Sequence, residues 1–139
     1  MKALRTLLRV ARRDLDVLRR ALADQISKQM AVEERIRAGA QDLADEQGAA
    51  QRDFESHRAF AIYAPVVRAA QRALEGERAA IDQECDRMRA LIAEAHVEMR
   101  KFERLIELDE ARQRAALEKR DAAELDELAT QRAGRMRAP

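Results

Sequence analysis

The chain has 139 residues, 38% of them charged, with 27 basic and 26 acidic side chains for a net charge of +1. That balance excludes a protein built mainly to neutralise phosphates. A single cysteine excludes an internal disulfide and fits a reducing cytoplasm, and no apolar run reaches the roughly 20 residues of a membrane span.

Ala, Leu, Glu and Arg dominate, a mixture that with a 3.5-residue period marks long helices or a coiled coil. The basic start interleaves Arg5, Arg9, Arg12 and Arg13 with leucines instead of leading into an apolar block, so no signal peptide is expected. Leu4, Leu8, Ala11, Leu15, Leu18, Leu22, Ile26 and Met30 read as one face of a first helix. The step of four followed by four at Leu18, Leu22 and Ile26 predicts a stutter. Past Met30 the stripe thins to Val32, Ile36, Leu43 and Ala50.

Two places can reverse the chain. One is Gln47 to Asp53, with Gly48 just past helix one and Asp53 as an N-cap. The other is Ala64-Pro65, since a proline deep in a helix costs about 3 kcal/mol. The seam phase runs unbroken from Phe60 through Tyr63 to Val67, which places helix one at about 2–47, the turn at about 48–53 and helix two at about 54–134. Pro65 is then a kink, and a break there is the alternative. Along helix two the seam reads Phe60, Tyr63, Val67, Ala70, Leu74, Ile81, Met88, Ile92, Ala95, Met99, Phe102 and Ile106, weak at Glu77 and at Glu84/Cys85. Matching dense stripe to dense stripe sets Leu8 opposite Ile92, Leu18 opposite Ile81 and Ile26 opposite Leu74. The expected fold is all-α: one antiparallel two-helix coiled-coil hairpin over 1–139 with a longer C-terminal helix. From Glu107 to Arg137 apolar positions are sparse, and a solvated single helix of this kind needs a receiver or frays.

Little in the chain suggests chemistry. Cys85 has no second cysteine and reads as a small core residue. His57 with Asp53 lacks a third ligand, and the acidic clusters Asp82/Glu84/Asp86 and Glu124/Asp126/Glu127 lack the glycine-turned loop that calcium needs. No phosphate-binding or nucleophile motif occurs. The expectation is a non-enzymatic protein with no catalytic residue, no cofactor, no metal and no small-molecule substrate. The basic start could contact protein, nucleic acid or anionic lipid, but no aromatics interleave it to stack bases, so no nucleic acid is expected. Phe54, Phe60, Ile62, Tyr63, Val66 and Val67 gather near the turn, either as an apolar cap or as an exposed binding patch.

The start Met1 to Val10 with Leu15-Asp16, the Phe60-x-x-Tyr63 pair, the Glu94 to Glu107 segment with Lys101-x-Glu103, and the ending Glu118-Lys119-Arg120-x-x-x-x-Leu125-Asp126-Glu127-Leu128-Ala129-x-x-Arg132 together resemble the FliJ family of flagellar type III export proteins. The resemblance covers essentially the whole chain. It implies a stalk protein that sits in the pore of the hexameric export ATPase, contacts the membrane export gate and handles export chaperones. Its place would be the cytoplasmic side of the inner membrane at the flagellar basal body, with membrane contact only peripheral. Where the family has aromatic and long apolar residues near the end of helix one, this chain has Gly39, Asp42 and Glu46. The gate or chaperone surface is therefore assigned to Phe60, Tyr63, Val66 and Ala70. ATPase contact is assigned to the chain ends, at Leu4, Leu8, Arg12, Arg13, Leu125, Asp126 and Glu127. The rival readings are a generic coiled-coil scaffold or dimerisation rod and, behind it, a basic-arm nucleic-acid binder.

Overall fold

Straight-chain helix formers with almost no internal breakers should propagate as very long helices. In the computed structural model, which describes residues 2–137, they do: α1 spans Lys2–Ala50 and α2 spans Phe54–Arg137. α1 runs through Gly48, with no glycine among the described residues at positive φ, so Gly48 is not the terminal residue expected of it. The helix instead ends in a tightened turn, with Gln51 N–H donating to the Gly48 carbonyl at 3.4 Å and Arg52 N–H to that of Ala49 at 3.1 Å. Asp53 starts α2 as an N-cap, its carboxylate accepting the Ser56 N–H at 2.7 Å. α2 continues through Pro65, which is exposed.

The helices divide into two compact units. The turn unit, Asp14–Ala95, is an antiparallel hairpin. Its shielded α1 positions include Leu15, Leu18, Leu22, Gln25, Gln29, Val32, Ile36, Gly39, Leu43 and Ala50, with Ala21, Ile26 and Ala49 half-buried beside them. On α2 they include Phe60, Ala64, Val67, Gln71, Leu74, Arg78, Ile81, Cys85, Met88, Ile92 and Ala95. Steps of three and four alternate along α2 from Phe60 to Ala95 and along α1 from Leu15 to Leu43, the heptad rhythm of a left-handed coiled coil, and Ala50 follows one heptad later. The stutter expected at Leu18–Ile26 does not shift the seam: Gln25 and Gln29 continue its phase, Ile26 is half-buried beside it, and Met30 is exposed. On α2, Ala64 and Gln71 hold the phase that apolarity assigned to Tyr63 and Ala70, both of which are exposed. Leu15 and Cys85, at 2% and 0% exposure, are the most deeply buried large side chains.

Polar side chains cross-link this seam. Gln29 donates to the Asp82 carboxylate, Arg78 pairs with Glu33 at 3.5 Å and Arg35 with Glu77 at 3.9 Å. Gln71 Nε2 donates to the Ile36 carbonyl at 2.9 Å, while its Oε1 is buried without a partner. Gly39 makes room for that amide: a Cβ there would lie 2.5 Å from Gln71 Nε2.

These pairs overturn the expected register. It set Gln29 opposite position 71, whereas Gln29 meets Asp82 and Gln71 meets Ile36, a slide of about three helical turns for Gln29. The cause lies at the turn. Ala49 and Ala50 share a hollow with Ala59, Phe60 and Tyr63, so the first turns of α2 are spent rounding the end of α1 before the seams engage.

In the chain-end unit, the described part of Met1–Arg13 packs against the start of the segment that begins at His96. Leu8, Ala11 and Ile106 are buried, with Leu4, Met99 and Phe102 half-buried. Arg5 bridges to Glu110 and Arg12 to Glu103, each at 3.4 Å, so Leu8 lies alongside Phe102–Ile106 rather than Ile92. From Ala111 to Arg137 every residue is exposed.

Candidate partner-binding surfaces

In the turn unit, a helix that spends one stripe on its seam still presents the stripe beside it. Ala59, Tyr63, Val66, Ala70 and Ala73 follow one another at steps of four, three, four and three, a second apolar row with the period of the buried one. All five are exposed, Tyr63 at 39% and Val66 at 69%, and exposed Ile62 stands one turn before Val66. Of the four residues expected to form the surface here, Tyr63, Val66 and Ala70 therefore share an exposed face.

Phe60 does not join them. It is half-buried on the seam and, with Glu46, Ala49, Ala50, Ser56, Ala59 and Tyr63, lines a hollow of about 330 Å3. The cap and the patch thus meet at Tyr63: Phe60 closes the hairpin, Tyr63 edges the same hollow while 39% exposed, and Val66 faces out. Asp53 fixes where this helix begins, and the Ser56 N–H that it accepts holds its carboxyl below the usual aspartate range.

In the chain-end unit the expected residues part in the same way. Leu4 and Leu8 are seam residues, and Leu8 is buried, so neither offers a free surface. Arg12 is exposed and its guanidinium reaches Glu103. Arg100 lies 3.2 Å from the same carboxylate, and the two cations, Arg100 first, hold Glu103 below the usual glutamate range. Arg13, Leu125, Asp126 and Glu127 are all exposed.

Residues missed as site members are Leu117, Leu128 and Met136, exposed on the same segment as Leu125. The signal was present in the spacing: Leu117 and Leu128 are eleven apart, as are Leu125 and Met136, a period close to that of a straight helix. The heptad of the seam would instead continue through Gln113, Ala116, Arg120 and Ala123. This segment's apolar face has its own phase.

Among the described residues no group of three His, Cys, Asp or Glu side chains could hold a metal, and no helix is long and apolar enough to cross a membrane. No protein-family model, no curated protein and no solved structure matches this chain.

Proposed function

We propose that this chain is a non-enzymatic component of the flagellar type III export apparatus, a stalk and general export chaperone that couples the hexameric export ATPase to the membrane export gate. The observation that carries this is the fully exposed helix from Ala111 to Arg137. It holds the whole of the Glu118 to Arg132 pattern on which the family resemblance chiefly rests, on a surface free for a receiver. The exposed row Tyr63, Val66, Ala70 supplies the second contact, for the gate or for export chaperones. Work of this kind takes place on the cytoplasmic side of the inner membrane, with only peripheral membrane contact.

The test is capture from a lysate of a flagellated bacterium with the full chain as bait. A Walker-motif ATPase recovered by the intact chain and lost when Leu125, Asp126 and Glu127 are replaced together by Ala supports the proposal. Recovery of no such ATPase under conditions that capture other export components rejects it.

A second reading, a generic coiled-coil scaffold, draws on the heptad-spaced outer row Ala59–Ala73, which is a ready second seam. It requires a dimer that persists at low micromolar concentration through that row, so Val66→Asp should dissociate it. The stalk reading expects a monomer at that concentration.

A further inference from the structure

The exposed segment carries a row that reads the same from either end. Leu117, Asp121, Leu125, Leu128, Arg132 and Met136 follow at steps of four, four, three, four and four. At 100° per residue these six side chains fall in one arc about 100° wide. All are exposed, Met136 at 87%. Among the described residues neither Asp121 nor Arg132 has an ion-pair partner.

Such a spacing has one geometric consequence. Lay a second copy antiparallel on this row, with the two-fold axis between Asp126 and Glu127, and each position meets its mirror: Leu117 meets Met136, Leu125 meets Leu128, and Asp121 meets Arg132. Apolar falls on apolar and acid on base, twice each. Asp126 and Glu127, whose like charges would oppose pairing, lie on the far side of the helix from the row. Self-complementarity of this form is what an isologous two-fold contact demands.

We infer that the chain forms a weak antiparallel homodimer through residues 117–136, its leucine centre flanked by two reciprocal Asp121–Arg132 bridges. The eleven-residue period keeps each row facing its partner without the left-handed supercoil of the seams. Because the contact is short and sits on a helix with no other packing, its dissociation constant is expected on the order of 100 µM. The inference does not rest on the export reading, although both place Leu125 at a contact, so a second copy and the ATPase would compete for this segment.

Sedimentation of the full chain from about 1 µM to 1 mM tests it. Monomer should give way to dimer across that range. Asp121→Arg alone and Arg132→Asp alone should each weaken pairing by roughly tenfold or more, since like charges then face each other on both sides of the centre. An equimolar mixture of these two variants should pair as well as the parent, because every facing pair becomes opposite in sign again. Orientation is read with Cys85→Ala chains carrying Leu117→Cys or Met136→Cys. Oxidation of the mixture should link the thiol introduced at position 117 of one copy to the thiol introduced at position 136 of the other. A monomer at 1 mM, a dimer indifferent to both charge swaps, or a disulfide joining position 117 of one copy to position 117 of another overturns the inference. Circular dichroism of each variant shows that the helix is retained.

Discussion

The seam of the turn unit and the exposed segment after Glu110 are both uninterrupted helix of similar composition, yet they differ in almost every physical respect. Along the seam even Gln25, Gln29, Gln71 and Arg78 are shielded, because they occupy heptad positions with a facing helix to pack against. In the segment, leucines that would rank as core residues stand in water. Burial here follows position in a pairing rather than side-chain polarity. The lesson is that a long charged helix separates where a chain packs from where it can receive a partner.

The largest expected effect tests that contrast directly. Leu15→Ala should cost about 2–4 kcal/mol, a deletion in a slim and fully buried layer. Leu125→Ala should stay within roughly 0.5 kcal/mol of the parent. Denaturant melts of the two variants measure both, and equal losses would erase the distinction between the regions.

Next comes the division of labour near the turn. Phe60→Ala should lower stability while leaving partner capture by the folded fraction intact. Val66→Ala should leave melting nearly unchanged and weaken capture, by about 2 kcal/mol or more if it is an anchor, whereas Tyr63→Ala, at the edge of the hollow, should do some of each. The paired measurement is thermal melting beside retention of the export gate or chaperones on an affinity matrix. Should Phe60 and Val66 behave alike in both assays, the separation of cap from patch is wrong.

Smaller effects probe the polar seam. Gly76 faces open space, so Gly76→Ala should stabilise by about 1 kcal/mol through helix propensity. Gly39→Ala should lose most of that gain, since the new methyl displaces the Gln71 amide from the Ile36 carbonyl. The gain should return in a Gln71→Ala background, and a double-mutant cycle reads the coupling. Gln71→Leu, which removes the unpartnered Oε1, should be neutral or stabilising by up to about 1 kcal/mol.

The smallest effect is a matter of pH. Asp53 and Glu103 both have carboxyls lowered by their partners, Asp53 through the Ser56 N–H and Glu103 through Arg100 and then Arg12. A depressed folded value means that each carboxylate contributes stability above its ordinary range and loses it as pH falls toward the lowered value. Asp53→Ala should therefore melt a few degrees below the parent at pH 7, with the gap closing as pH is taken down through the range below about 4. A gap constant down to about pH 2 would mean that the cap acts through something other than its charge.

The two helices, the turn and the N-cap at Asp53 were legible because they rest on local signals: composition, capping chemistry and phase across Pro65. The register was not. It depends on how many residues α2 uses to round the end of α1, and on fits such as Gly39 against Gln71 that no count of apolar residues detects. Reading the seam by apolarity also misassigned Tyr63 and Ala70 to the buried row, when Ala64 and Gln71 keep its rhythm. That error explains the sites as well. Tyr63, Val66 and Ala70 were picked out as a surface and, for Tyr63 and Ala70, as seam at once, and only the first assignment holds geometrically.

One buried atom gives the molecule a reporter of its own. The Cys85 thiol is the chain's single sulfhydryl and has no exposed area, so a water-soluble disulfide reagent can reach it only when the turn unit parts around it. With reclosing faster than reaction, the labelling rate relative to a free thiol gives the fraction of time that this stretch stands open. Repeated on a chain with a bound partner, the same colour change would tell whether that partner clamps the helices together or pries them apart.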